Sequence, residues 1–198
     1  VQVLENFEKK FKKYLPNIKW LNMGGGHLIT KEGYDVELLV NTLKYFKKKY
    51  QVEIILEPGG AIAWQTGFLK TTIIDIVENQ GSPTAIMDAS FTCHMPDCLE
   101  MPYRPEIMEG SHHAEKYPFR YNIGGVSCLA GDFLADYSFS KPLKIGDTLT
   151  FQDMMHYTMV KTTMFNGIDH PSIGVIGADH RFELLKTFTY QDYRDKLS

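Results

Sequence analysis

Four short stretches carry residues able to do chemistry. Gly24-Gly25-Gly26-His27 follows an apolar run, Ile18 to Met23. Backbone amides without side chains beside them could close around a phosphate, although a tight turn uses the same glycines. Glu57-Pro58-Gly59-Gly60 closes a second apolar run, Val52 to Leu56. A carboxylate fixed there can pair with a protonated ring nitrogen, or simply cap a turn. Cys128 lies within Gly124-Gly125-Val126-Ser127-Cys128-Leu129-Ala130-Gly131-Asp132, where small neighbours leave a thiol approachable and an acid follows. A lone cysteine also serves as a small buried apolar residue. Tyr157, in His156-Tyr157-Thr158, is a phenol able to donate to a phosphate or to sit in a core, and Phe165-Asn166-Gly167 after it reads as a turn. A metal set can be assembled from His94, Cys98, His112 and His113, but its spacing matches no zinc pattern.

The elements that must position these groups fall into two styles. An amphipathic helix is expected over Val1 to Leu15, with Val3, Leu4, Phe7, Phe11, Tyr14 and Leu15 on one side. A strand over Ile18 to Met23, a helix over Gly33 to Tyr50 and a strand over Val52 to Leu56 follow, with turn residues at both strand ends. Helix and strand in alternation is the order of a parallel α/β sheet or barrel, because a parallel crossover needs a covering helix. From Thr66 onward Leu69 to Glu78, Thr84 to Ala89, Leu134 to Phe139 and Thr148 to Phe151 are strand-like, separated by Gly, Pro and Asp. The change of style near residues 60 to 66 predicts a mainly β second domain. Within it Gly146 supplies permissive backbone to a turn whose loop Asp147 can bond.

Composition narrows the function classes. At 43% hydrophobic and 23% charged the chain can bury a core, and a net charge of −3 offers no general attraction to nucleic acid or an anionic membrane. The basic runs Lys9 to Lys13 and Lys44 to Lys49 sit on expected helix faces. No apolar stretch approaches the ~20 residues that span a bilayer, and the start lacks the order of a signal peptide, so a cytoplasmic location is expected. Three cysteines without a Cys-x-x-Cys pair suggest reduced thiols.

The order of these motifs, together with Gly24 to Lys31, Trp64-Gln65-Thr66-Gly67, His94-Met95-Pro96-Asp97 and Met101-Pro102-Tyr103, resembles the ornithine/diaminopimelate decarboxylase class of fold-type III pyridoxal-phosphate enzymes. Its wording is nearest to the carboxynorspermidine/carboxyspermidine decarboxylases. The resemblance covers nearly the whole chain. It implies the last strands and helices of an alanine-racemase-type (β/α)8 barrel over residues 1–62. A C-terminal β-barrel or sandwich domain over 63–198 would follow, its chain end able to return to the barrel.

The resemblance also implies roles. Gly24, Gly25 and Gly26 would cradle the phosphate of pyridoxal 5'-phosphate with help from Tyr157, and Glu57 would hold the pyridine nitrogen protonated. Cys128 would be the catalytic proton donor in the site of a neighbouring copy, which calls for a homodimer. His94, Asp97, Tyr103 and Asp132 would line the pocket for a carboxylated polyamine. Two positions depart from relatives: Gly60 replaces an arginine that binds phosphate, and Leu129 replaces the acid that follows the cysteine in diaminopimelate and ornithine decarboxylases. The leucine argues against both of those substrates. No residue matches the context of the Schiff-base lysine, which is expected on an absent N-terminal segment together with roughly the first six barrel strands. This chain alone is therefore expected to be inactive. A non-catalytic binding protein of the same fold is the alternative from another class.

Overall fold

The computed structural model describes residues 2–79 and 81–198, so Val1, the first residue of the expected opening helix, lies outside them. The chain divides into two compact units, Val1–Trp64 and Gln65–Ser198, each described by itself below.

In the first unit the helix α1 (Gln2–Phe11) stacks Phe7 on Phe11, one turn apart, with ring centroids 5.0 Å from each other. It stops short of the expected Leu15. Pro16 disfavours helical backbone at the residue before it, and Leu15–Asn17 forms a tight 3-10 turn instead. The strand β1 (Trp20–Asn22) follows, then α2 (Val36–Tyr50) and β2 (Glu53–Ile55). β1 and β2 pair in parallel, Trp20 with Glu53, Leu21 with Ile54 and Asn22 with Ile55. α2 is the crossover that parallel pairing requires. It begins three residues later than expected, because Gly33 has φ +76° and Asp35 caps the helix by accepting from the Leu38 amide at 2.8 Å. Glu8 ties α1 to α2, accepting from Lys49 Nζ at 2.7 Å and from the Tyr50 hydroxyl at 2.6 Å. A single turn, α3 (Gly59–Ile62), follows β2.

The second unit is a curled sheet. Its elements in order are β3 (Phe68–Asn79), β4 (Ser82–Met87), the one-turn helices α4 (Phe91–His94) and α5 (Asp97–Glu100), β5 (Gly110–Ser111), β6 (Phe119–Gly124), β7 (Phe133–Phe139) and β8 (Thr148–Gln152). The sheet order is β5-β7-β6-β4-β3-β8, antiparallel except where β4 meets β6. The stretch from Glu106 to Ser111 touches both edges. Met108 donates to Thr150 and Gln152 donates to Glu106 on the β8 side, while β5 pairs with β7 on the other. The sheet thereby curls on itself, which leaves few unpaired edge groups. Ile73, Met87, Phe91, Ile123, Tyr137, Leu149 and Phe151 fill the inside, each under 2% exposed. In β8 the alternation is plain, with Leu149 and Phe151 inward and Thr148 outward.

The expected strands from Leu69, Thr84, Leu134 and Thr148 fall on β3, β4, β7 and β8. The sequence reading missed β5 and β6, and also a separate antiparallel hairpin of β9 (Ile173–Ile176) with β10 (Phe182–Lys186). A one-turn helix α6 (Tyr157–Val160) precedes that hairpin and α7 (Tyr190–Leu197) ends the chain behind a Thr189–Asp192 capping box. Among the described residues no helix is long and apolar enough to cross a membrane.

Candidate active site

In the first unit, strand pairing brings two of the sequence motifs together. The glycine loop leaves the end of β1 and Glu57 leaves the end of β2, and parallel pairing puts both at the same end of the sheet. The ladder continues past the strands, with Met23 donating to Ile55 at 2.9 Å and Glu57 donating to Gly24 at 2.8 Å. Gly24 and Gly26 have φ near +70° and +78°, backbone that side chains disfavour. Gly25 is glycine for another reason: a Cβ there would stand 2.7 Å from the Glu57 carbonyl oxygen. Asn22, which sequence reasoning did not single out, orients the site. Its amide Nδ2 donates to Glu57 Oε1 at 2.6 Å, and its Oδ1 accepts from the Gly24 amide at 2.8 Å. One side chain thus fixes both the carboxylate and the start of the loop. The Nε2 of His27 is enclosed without a partner among the described residues, while its Nδ1 lies 3.3 Å from the Tyr34 hydroxyl.

In the second unit Cys128 is the exposed cysteine, whereas Cys93 and Cys98 are buried. All three are free thiols. Burial pushes the Cys98 thiol up to about 11, so it stays protonated at neutral pH. The loop carrying Cys128 is fastened from both sides. The Cys128 amide donates to Asn166 Oδ1 at 3.1 Å, and the preceding Ser127 amide donates to Asp132 Oδ2 at 3.0 Å. Asn166 sits at φ +60°, a left-handed position that Asn tolerates. The Phe-Asn-Gly turn is therefore the partner of the cysteine loop, a pairing that motif order could not reveal.

The residues expected to face substrate separate by burial. Asp132 is 4% exposed and accepts from Ser90 Oγ, the Thr92 amide and the Ser127 amide at 2.9 to 3.0 Å. Asp97 is 7% exposed and forms an ion pair with Lys161 at 2.6 Å, Glu100 being the second anion on the same ammonium. His94 is 2% exposed, with its Nδ1 accepting from the Ser90 amide at 3.2 Å. Burial above all, then the neighbouring His170, pulls the His94 pKa down to about 4, so the ring is neutral at pH 7. Tyr103 and Tyr157 remain accessible, at 40% and 59%. Burial and the adjacent Cys98 hold the Tyr103 phenol above its ordinary range, so it stays a donor. The resemblance puts Asp97 in the substrate pocket; the structure gives it Lys161 as a counterion, sixty-four residues away in the chain. Among the described residues no three His, Cys, Asp or Glu side chains converge as a metal site.

Known proteins match this chain throughout. The family model of the pyridoxal-dependent decarboxylase C-terminal sheet domain matches residues 22–155. Carboxyaminopropylagmatine decarboxylase of Synechocystis sp. is 53% identical over 197 residues, covering 99% of this chain and 51% of that protein. Carboxynorspermidine/carboxyspermidine decarboxylase of Campylobacter jejuni is 43% identical, covering 96% of this chain and 52% of that protein. The crystal structure of carboxynorspermidine decarboxylase complexed with norspermidine from Campylobacter jejuni matches with a TM-score of 0.85 at 43% identity, over 98% of this chain and 56% of that one. Diaminopimelate decarboxylase from M. jannaschii, with a TM-score of 0.72 at 21% identity, shares the fold. The chain spans about half the length of the curated relatives it matches. On these grounds, with the match extending over residues 22–155, the chain belongs to the pyridoxal-dependent decarboxylase family and carries its C-terminal sheet domain.

Proposed function

We propose that this chain is part of a decarboxylase of carboxylated polyamines, acting on carboxynorspermidine or carboxyspermidine in polyamine biosynthesis. The observation that carries the reading is the TM-score of 0.85, at 43% identity over 98% of the chain, to a carboxynorspermidine decarboxylase solved with norspermidine. The 53% identity to a carboxyaminopropylagmatine decarboxylase favours a second substrate of the same reaction class, whose arm ends in a guanidinium rather than an ammonium. In this reading residues 1–62 are the last part of the (β/α)8 barrel, and the cofactor lysine comes from a preceding segment.

The loop at the end of β1 suits a phosphate. The carbonyl of Glu57 closes one side so that only glycine fits at position 25, and a Cβ at Gly24 or Gly26 would meet no atom within 4 Å, which leaves that side open. Pyridoxal 5'-phosphate, when bound, supplies an electron sink for the bond to the departing carboxylate. Gly24, Gly25 and Gly26 would hold its phosphate by their amides. Glu57, aimed by Asn22, would keep the pyridine nitrogen protonated. The Cys128 thiol would deliver a proton to the substrate carbon that has lost carbon dioxide, in the site of the second copy of a homodimer. Among the residues expected at the substrate, Tyr103 is accessible and would face the polyamine arm.

The test is carbon dioxide release by the full-length enzyme with pyridoxal 5'-phosphate. The four substrates are carboxynorspermidine, carboxyaminopropylagmatine, diaminopimelate and ornithine. The reading requires kcat/KM for one of the carboxylated polyamines to exceed that for both amino acids by at least about a hundredfold, a floor well below the roughly 10⁴-fold by which a site rejects a substrate that leaves its buried polar groups unpaired. Preference for diaminopimelate or ornithine would overturn it. Borohydride should also fix the cofactor to a lysine outside the 198 residues.

A further inference from the structure

Asp132 is tied to Cys128 by geometry that the sequence motif does not disclose. The carboxylate gathers donors from two separate stretches: Ser90 Oγ and the Thr92 amide at the start of α4, and the Ser127 amide one residue before the thiol. The distances are 2.9, 3.0 and 3.0 Å, and the residue is 4% exposed. A buried carboxylate is stabilised by amide and hydroxyl donors and is costly without them. These three bonds are therefore a strong tether for the loop.

On that side the loop is also held one residue earlier, where the Val126 amide donates to the Ala89 carbonyl at 3.2 Å, but the Ser127 amide beside the thiol is held by the Asp132 carboxylate. Gly125 donates its amide to the Asp132 carbonyl at 2.7 Å, and a Cβ at Gly125 would collide with the Asp132 carboxylate. Beside Gly124, Gly125 and Asp132 lies a groove of about 280 Å³, also bordered by Ser82, Thr84 and Asn122. Without the carboxylate the glycine-rich segment has free volume to move into. Asn166 fastens only the next amide, that of Cys128 itself.

We infer that Asp132 is a positioning residue, which sets where the Cys128 thiol points by fixing the Ser127 amide to α4, and is not a substrate ligand. The inference rests on the reading of Cys128 as the reacting thiol for its effect on turnover, but its structural half stands without it. A misplaced proton donor slows the chemical step while leaving substrate affinity alone.

The test compares Asp132→Asn with wild type and with Cys128→Ala in the full-length enzyme. Asn keeps the shape but presents an amino group to one set of donors, so the tether loses at least one bond. Peptide-resolved hydrogen exchange is read without substrate, and exchange over residues 125–132, with the tethered start of α4 at 90–93, should speed up by roughly tenfold while the rest of the sheet unit is unchanged. In steady-state assays kcat should fall at least about tenfold with KM within about twofold. Unchanged exchange over 125–132, or a raised KM with kcat intact, would overturn the inference, the second making Asp132 a substrate ligand. A Cys128→Ala enzyme with full kcat would refute the role of the thiol, yet the exchange result would still decide the tether. Should Asp132→Asn not fold, Ser90→Ala removes one donor and leaves the carboxylate, and it should move exchange and kcat in the same directions by a smaller factor. No movement of either would equally overturn the inference.

Discussion

Individual side chains in the second unit have burial and partners that their motifs do not disclose. His94 sits in a motif that reads as a pocket wall, yet it is buried and neutral, with a pKa pulled from 6.5 to about 4. The depressed value means the unfolded chain takes up a proton that the folded chain refuses. The stabilisation is therefore complete above pH 6.5 and is lost as pH falls through about 4, at most about 3 kcal/mol across that window. Urea unfolding at pH 7.5 and pH 5 should show a lower midpoint at pH 5, with His94→Gln flattening the difference; an unchanged slope in the variant would exclude His94 as its source. Asp97 makes a similar point through its ion pair with Lys161. Asp97→Asn is expected to lower the thermal midpoint and leave KM within about twofold. A tenfold higher KM at an unchanged midpoint would restore Asp97 to substrate binding.

At the scale of elements, the first unit depends on how loops meet at strand ends. Gly25 and Gly24 are both glycine, but for separable reasons. Gly25→Ala puts a Cβ against the Glu57 carbonyl, whereas Gly24→Ala strains only a left-handed backbone with open space around it. In the full-length enzyme Gly25→Ala should weaken pyridoxal 5'-phosphate retention by at least about tenfold, and Gly24→Ala by less, since a clash with backbone cannot relax as a single φ can. Equilibrium dialysis followed by cofactor absorbance measures both, and equal losses would remove the cradle argument. The cap of α2 gives a second check. Asp35→Ala removes the acceptor for the Leu38 amide and is expected to cost about 1 kcal/mol in denaturant unfolding, while the neighbouring Glu37→Ala, which caps nothing, should cost little. Strand and helix existence was legible here because periodicity is local. The early end of α1 and the late start of α2 were set by Pro16, Gly33 and Asp35, residues whose local geometry outweighs the apolar pattern around them.

For the molecule as a whole, the sheet unit stands on residues that meet only because the sheet curls. Phe151 packs edge-on against Phe91, ring centroids 5.8 Å apart, and bridges to Ile107 where the two sheet edges join. Phe151→Ala should therefore cost about 3 to 5 kcal/mol, read as a lowered urea midpoint, and should expose the 106–111 stretch to exchange before the rest of the sheet. The sequence alone determined the order of chemistry along the chain: a glycine loop, a Glu-Pro-Gly strand end, a cysteine loop and a Phe-Asn-Gly turn. It also determined the two styles of secondary structure, since side-chain period and turn chemistry are properties of neighbours in the chain. Only the tertiary structure decided that Asn22 aims Glu57, that Asn166 and Asp132 hold Cys128 from two sides, and that Lys161 occupies Asp97. Those partners are brought together by the tertiary fold across thirty-five to sixty-four residues for the longest reaches, and a one-dimensional pattern carries no record of which distant donor meets which acceptor.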